Sequence, residues 1–368
     1  MQGAIQVGQC HCDTTGTLTV GGDLGYLNVL YSLGGDFTVE GDVLGAVVIG
    51  ASVSAGGTLQ ITGGVTPDPQ DPNAVGVVIG DPAHTEYPAD VSGTIAIGAI
   101  SGDLQGALTV RGGVESTGTV TIGGGVTQAG YVFIGDDLLG TLDIDGPVAS
   151  AATPRITIGN PNNPLAVGDV AGDLNVGGAT GGLAGVLRIK GTIQPGADVH
   201  ISGGVGDTGQ VQSGTVLGTL QVDGAIGAGT DPNDPRVLIN GAIGGQASDA
   251  QVLLNWGGLN GLLKVAGGIE SGATLDITGG LADSGRVKVG SHVAGTLVTR
   301  GTIEPEPDPN DPRVRIGGSL TGSMQTIGEL RGRVHIAGSV DRGTLQLNGD
   351  VLAGAQIVVA GDMNGEIG

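Results

Sequence analysis

Short runs of Leu, Val and Ile that alternate with polar residues recur along the whole chain. In 57–65 (GTLQITGGV) and 118–126 (GTVTIGGGV), two branched residues alternate with polar ones, and glycines and a third branched residue follow. Alternation with a period of two predicts a short β-strand with one buried face. Glycine supplies the backbone freedom that a sharp bend needs. Each run therefore predicts one strand followed by a corner.

These runs repeat at two periods. Within 108–174 the first branched residue of each run recurs mostly 10 to 14 residues apart, with one step of 18, at Leu108, Val120, Val132, Leu142, Ile156 and Leu174. A longer period is marked by one strand and by a Pro-rich loop. The strand recurs with steps of 83, 78 and 77 residues, at Leu59, Leu142, Leu220 and Leu297. The loop recurs with steps of 82, 81 and 77 residues, at Pro72, Pro154, Pro235 and Pro312.

Two markers with the same period indicate super-repeats of about 80 residues, each with about six short strands. Their approximate bounds are 25–107, 108–186, 187–262 and 263–344, with partial copies at 1–24 and 345–368. Helices are disfavoured because glycine interrupts nearly every stretch of ten residues and the apolar residues lack helical spacing.

Each strand has a counterpart with the same residue classes in the next super-repeat, which favours parallel stacking over hairpins. We therefore predict an all-β fold, one continuous parallel β-solenoid over residues 1–368, and the crossover rule favours a right-handed one. The sequence leaves open whether a coil contains two or three strands.

Composition agrees with a thin, elongated core. Gly contributes 77 residues, while aromatic residues make up only 2% of the chain, so small branched side chains must fill the interior. The net charge of −22 argues against nucleic acid as a partner, because phosphate binding needs clustered Lys and Arg. No run of 18 apolar residues exists, so we expect no membrane insertion. A soluble acidic repeat protein suggests an extracellular or cell-surface location.

The Leu/Val-x-Ile/Val-x-Gly-Gly-Val pattern resembles the Gly-rich parallel β-helices of bacterial surface proteins and autotransporter-like passengers, and more loosely the bactofilin-type polymerising solenoids. The resemblance spans nearly the whole chain and is architectural. It implies secretion, adhesion or filament building.

Two groups of residues are candidate metal ligands. The Asp-Pro-Asn-Asp-Pro loops offer Asp231, Asp234, Asp308 and Asp311, whose carboxylates suit calcium. The alternative is a stiff protrusion in which Pro fixes φ and Asp caps the turn. Cys10, His11 and Cys12 could hold a soft metal or bridge to another chain, but they are too few for a closed zinc site. We expect no other cofactor.

The enzymatic alternative is a β-helix that cleaves polysaccharides with carboxylates on its outer face. The outward position after the Leu59-type strand is Thr62, Asp145, Asp223 or Arg300 in successive super-repeats. If a coil contains three strands, Asp145 and Asp223 lie at least two coils apart, about 10 Å, farther than the ~5 to 9.5 Å that a catalytic carboxylate pair needs. The five histidines are scattered, so the sequence predicts no enzyme.

Charge is distributed unevenly along the chain. Residues 1–110 contain no Lys or Arg, whereas cations outnumber acids over 286–342. We interpret the chain as an extracellular structural or scaffold protein, a repeat segment of a filament, surface layer or adhesin. Its expected partners are further copies stacked end to end, flanking repeats of the same protein, or a surface glycan. The alternative is a solenoid that binds or cleaves glycans on its outer face.

Overall fold

The structure is a computed structural model that describes residues 4–7, 15–66, 76–80, 89–98, 102–150, 153–160, 167–177, 182–229, 231, 233–245, 249–255, 257–282, 284–306 and 311–368. The chain divides into two compact units, unit 1 over Met1–Gly191 and unit 2 over Thr192–Gly368. Within the described ranges every regular element is a β-strand and there is no helix.

Unit 1 contains fifteen short strands. In chain order they are β1 (Ala4–Val7), β2 (Thr17–Val20), β3 (Leu24–Val29), β4 (Asp36–Val39), β5 (Val43–Ile49), β6 (Thr58–Ile61), β7 (Gly76–Ile79), β8 (Thr94–Ile97), β9 (Ala107–Val110), β10 (Thr119–Ile122), β11 (Tyr131–Ile134), β12 (Thr141–Ile144), β13 (Pro154–Ile158), β14 (Asp173–Val176) and β15 (Val186–Ile189).

Unit 2 contains another fifteen strands. They are β16 (Asp198–Ile201), β17 (Gln210–Ser213), β18 (Thr219–Val222), β19 (Pro235–Ile239), β20 (Gln251–Leu254), β21 (Leu262–Val265), β22 (Thr274–Ile277), β23 (Arg286–Val289), β24 (Thr296–Arg300), β25 (Val314–Ile316), β26 (Ser323–Ile327), β27 (Arg333–Ile336), β28 (Thr344–Leu347), β29 (Gln356–Val359) and β30 (Glu366–Ile367).

Each unit is a parallel solenoid with two sheets. Odd-numbered strands form one sheet and even-numbered strands the other, and each strand pairs in parallel with the strand two places on. Single-residue parallel bridges at the corners join the same coils, for example Val126 to Val148. The prediction of an all-β parallel solenoid is confirmed. Its handedness and its continuity over the whole chain stay predictions.

A coil contains two strands, which answers the question that the sequence left open. Thr119 in β10 pairs with Thr141 in β12, and β11, which lies between them in the chain, belongs to the other sheet. Leu59 lies in β6 and Leu142 in β12, three coils on in unit 1; likewise Leu220 lies in β18 and Leu297 in β24 of unit 2. A super-repeat of six strands is therefore three coils.

The core consists of inward columns of branched side chains. Each strand contributes two inward residues and the following corner a third, as in Leu59, Ile61 and Val65, and all three are completely buried. Each stacks on its counterpart in the next coil: Leu59 on Ile95, Ile61 on Ile97, and Val65 on Leu104. Full burial of one such side chain contributes about 1.5 to 3 kcal/mol.

Polar residues interrupt the columns at a few inward positions of unit 2. Thr299 and Thr326 are buried on adjacent strands, and the Thr299 hydroxyl lies 3.5 Å from that of Thr326 and 3.4 Å from the Gln325 carbonyl oxygen. Ser213 is also buried, and its hydroxyl has no hydrogen-bond partner among the described residues. A buried hydroxyl without a partner costs roughly 1 to 3 kcal/mol.

Glycine is required at corners where successive coils touch. A Cβ on Gly172 would collide with the carbonyl oxygen of Gly140, and a Cβ on Gly140 would collide with that of Gly118. These residues stack directly before β14, β12 and β10. The high glycine content thus follows in part from how closely backbone approaches backbone between coils.

The inward columns predict a sharp contrast between neighbouring residues of one strand. We expect Ile122→Ala to lower the free energy of unfolding by about 2 to 5 kcal/mol because it opens a cavity in a closed column. Thr121→Ala faces outward on the same strand, so we expect a change within ~0.5 kcal/mol. Denaturant unfolding of both variants checks this, and equal losses would contradict the assigned faces.

Candidate functional site: the outer faces and the cationic column

Acidic and hydroxyl side chains at the corners bind the backbone of the next coil. The Asp23 carboxylate accepts a hydrogen bond from the Asp42 amide (3.0 Å), and the Asp42 carboxylate accepts one from the Gly64 amide (2.8 Å). Asp103 and Asp137 make the same bond to Gly125 and Asp169, and Ser339 makes it to Asp362. Much of the acidic charge at the corners therefore supports coil stacking.

Sequence reasoning missed this role, although a signal was present. Each of these Asp residues stands directly before an apolar residue that pairs with the next coil, as Asp23 does before Leu24 and Asp103 before Leu104. Crowding of such acids has an electrostatic cost. Burial raises the pKa of Asp136, and the charges of Asp137 and Asp90 raise it further.

The proposed calcium ligands that the structure describes are engaged with protein groups. Asp234 accepts a hydrogen bond from the Arg236 guanidinium (2.6 Å), and Asp311 contacts Arg286 and lies 3.4 Å from Lys288 Nζ. The exposed Asp231 accepts a bond from the Asn233 amide (2.8 Å), which is the turn-capping geometry. Asp308 lies outside the described residues. Calcium binding at these loops stays a prediction.

The other predicted metal ligands, Cys10, His11 and Cys12, also lie outside the described residues. Across the ranges that are described, no three His, Cys, Asp or Glu side chains come together in a way that could hold a metal ion.

Arginines that follow the Pro-rich loops anchor those loops to the solenoid. The Arg236 guanidinium donates to the carbonyl oxygens of Asp207 (2.9 Å) and Gly209 (3.1 Å). The buried Arg313 likewise donates to the carbonyl oxygens of Glu304 (3.0 Å) and Gly285 (3.2 Å). Arg236 is the extra residue of a register shift between Pro235 and Val237, and such a bulge redirects a side chain. The Pro-Arg pair was the sequence signal.

The four outward positions considered for catalysis all lie at the ends of even-numbered strands. Thr62 follows β6 and Asp145 follows β12 in unit 1; Asp223 follows β18 and Arg300 ends β24 in unit 2. Members of the same unit are three coils apart, about 14 Å at the usual strand spacing. Asp145 and Asp223 belong to different units.

Asp223 is the centre of a polar cluster on the even-numbered sheet of unit 2. Its carboxylate lies 2.6 Å from His200 Nε2 and accepts hydrogen bonds from Gln221 (2.8 Å) and Asn255 (3.0 Å). Burial acts to raise the pKa of Asp223, but these hydrogen bonds outweigh burial and leave the pKa below its usual value. An ionised, fully engaged carboxylate is a poor general acid.

The odd-numbered sheet of unit 2 carries a row of basic side chains, which we call the cationic column: Lys264, Lys288, Arg315 and His335. They occupy the central outward position of four strands that are neighbours in this sheet: β21, β23, β25 and β27. The pairing register joins Lys264 to Lys288, Lys288 to Arg315, and Arg315 to His335. Adjacent members are therefore about one strand spacing apart, ~4.8 Å between backbones.

Further charges flank the cationic column. Arg286 and Arg333 begin β23 and β27, and the buried Arg313 precedes β25. Two carboxylates lie nearby: Asp311 bridges Arg286 and Lys288, and Glu306 lies 3.5 Å from Arg313 Nε. Burial lowers the pKa of His335, and the charges of Arg333 and Arg315 lower it further. Nearby positive charge disfavours the protonated form of a histidine.

Glu306 is the most strongly perturbed acid in the described structure. Its side chain is 5% exposed in a cleft that Pro305, Arg331, Arg333 and Gln356 also line. Burial raises the pKa of Glu306 to about 7, although Arg313 acts to lower it. Its Oε1 atom has no hydrogen bond within the described part of the chain.

Comparison with known proteins leaves the chain without an assigned family. No family model, no curated protein and no solved structure matches it. The likeness to bacterial surface solenoids therefore rests on repeat pattern and architecture. In the portion that the structure describes, no helix has the length and apolar character to cross a membrane.

The pKa of Glu306 predicts a specific pH dependence of stability. A folded-state pKa raised from 4.5 to about 7 means that the folded chain holds this proton more tightly than the unfolded chain. The contribution is fully present below pH 4.5 and is lost as the pH rises to about 7, on the order of 3 kcal/mol in all. Glu306→Gln should therefore remove this pH-dependent loss of folding stability.

The measurement is denaturant unfolding of wild type and variant between pH 4 and pH 9. We expect Glu306→Gln to be more stable than wild type at pH 8, with a smaller difference at pH 5. Glu304→Gln is the matched control, since Glu304 is one-third exposed and 4.0 Å from Arg331. Parallel pH profiles for wild type and Glu306→Gln would contradict a buried, neutral Glu306.

Proposed function

We propose that the chain is a repeat segment of an extracellular structural protein, part of a filament, surface layer or adhesin, and that its last coil stacks on a second copy of the chain. The support is that the contacts between successive coils are the same kind throughout each unit: parallel strand pairing, apolar columns and corner hydrogen bonds. Such contacts are independent of chain length, so coils can be added without a new type of interface.

The single observation that carries the proposal is the repetition of one kind of contact from coil to coil. Val351, Met363 and Ile367 continue the inward columns of unit 2. Their counterparts one coil earlier are buried: Leu330, Val340 and Leu345. A further coil, from flanking repeats of the same protein or from a second copy, would bury Val351, Met363 and Ile367 in the same way and pair the strand edges.

Charge does not drive this association. The segment 343–368 contains Asp350, Asp362 and Glu366 but no Lys or Arg, and the segment 1–110 is likewise free of Lys and Arg. Two acidic surfaces repel, and salt screens that repulsion. Assembly through strand edges and apolar columns should therefore increase with ionic strength.

The experiment is sedimentation velocity and electron microscopy of the purified chain over a wide range of concentration and salt. We expect particles that lengthen with both. Met363→Asp combined with Ile367→Asp should weaken self-association by about tenfold or more, because a carboxylate would be buried without a partner. Leu139→Asp combined with Val167→Asp places the same charges at exposed apolar sites of unit 1 and should leave it unchanged.

A chain that stays monomeric at high concentration and high salt would contradict assembly through the last coil. Immunogold labelling of intact source cells tests the location separately: label on the outer surface supports the proposal, and label restricted to the cell interior refutes an extracellular role.

A second candidate function is glycan binding on the outer face. The observation that favours it is the cationic column, an aligned set of basic groups on an acidic protein.

A further inference from the structure

The cationic column has a spacing and a setting that suit a linear anionic ligand. We propose that the odd-numbered sheet of unit 2 binds an anionic polysaccharide, with carboxylate or sulfate groups, whose chain runs across strands β21, β23, β25 and β27. This goes beyond the proposed structural role, since a scaffold needs no such site, and it names the ligand class for the glycan-binding candidate.

The first argument is repulsion between like charges that the described residues relieve only at Lys288. Like charges on directly opposite strand positions are destabilising, yet Lys264, Lys288 and Arg315 stack in register. Asp311 lies beside Lys288. Lys264 and Arg315 are both exposed and have no hydrogen bond or ion pair to any residue that the structure describes. An external row of anions would neutralise them.

The second argument is the excess of positive charge around the column. Arg286, Arg313 and Arg333 lie beside it, so that among the described residues six Lys and Arg side chains are accompanied by two carboxyl groups, those of Asp311 and Glu306. The whole chain carries −22, so a local reversal of sign is a departure from its general character. Clustering of one charge on a surface raises the local concentration of the opposite ion.

The third argument is space for a polymer beside the charges. The next outward position comes directly after each of these four strands. Small residues occupy it in every case: Ala266, Gly290, Gly317 and Ala337. Each follows its strand, and their backbones stack coil on coil. The result is a shelf of small side chains that runs parallel to the cationic column and along which a sugar chain can lie.

The chemistry of the site favours an anionic polysaccharide over nucleic acid. Single-stranded nucleic acids bind through aromatic stacking in addition to charge, and the described residues of unit 2 include no Phe, Tyr or Trp. A linked pyranose advances by a distance of the order of the ~4.8 Å strand spacing, so an oligosaccharide of a few acidic sugars can reach several members of the column.

The test is isothermal titration of the full chain with three probes at low salt: a polygalacturonate oligosaccharide, a heparin oligosaccharide, and single-stranded DNA of matched charge. We expect saturable binding of at least one of the oligosaccharides, weakening steeply with salt, and weaker binding of DNA. The two oligosaccharides distinguish carboxylate from sulfate recognition.

The matched variants are Lys264→Gln with Arg315→Gln, and Arg300→Gln with Arg342→Gln as the control with the same change of charge elsewhere. The column variant should bind about tenfold more weakly while its melting temperature stays equal or rises, because repulsion has been removed. The control should bind like wild type.

Absence of saturable oligosaccharide binding to wild type would overturn the proposal, as would equal weakening by both variants. DNA binding as tight as the oligosaccharides would reduce the column to a non-specific polyanion surface and would also overturn it. None of these results depends on whether the last coil assembles, so this failure and failure of the proposed structural role are distinguishable.

Discussion

The repeated features of the described structure follow from the stacking of parallel strands at a spacing of ~4.8 Å. At that distance each residue touches its counterpart in the next coil, so volume, polarity and charge must suit a repeated neighbour. Leu59 lies over Ile95, the Asp23 carboxylate meets the Asp42 amide, and Gly172 has no room for a Cβ against Gly140. The apolar columns, the corner acids and the glycines all result from the short distance between equivalent residues of successive coils.

The same constraint explains what the sequence could predict. Alternation in segments such as 119–122 shows which side chains turn inward, and the repeat of like residues indicates parallel stacking. The number of strands per coil was not predictable, because strands of the two sheets share one pattern: Val132, Ile134 and Leu138 read like Leu142, Ile144 and Val148. Only the pairing of β10 with β12 reveals which run lies over which.

The cationic column could not be predicted from the sequence for a related reason. Lys264, Lys288, Arg315 and His335 are unevenly spaced along the sequence, because loops of different length separate equivalent positions. Their alignment appears once the coils are counted. The hydrogen bonds of the corner acids were not predictable either, since a single Asp before an apolar residue does not reveal which backbone amide it will contact. Regular stacking thus builds both a structural solenoid and an ordered charged surface on it.

Crosslinking across one coil tests the stacking most directly. In a Cys10→Ser, Cys12→Ser background, Thr121→Cys and Asp143→Cys place thiols on paired residues of β10 and β12, within the usual distance for a disulfide. Thr121→Cys with Phe133→Cys places thiols on β10 and β11, which follow each other in the chain and would pair if they formed a hairpin. We predict efficient oxidation of the first pair and little of the second; the reverse result would contradict parallel two-strand coils.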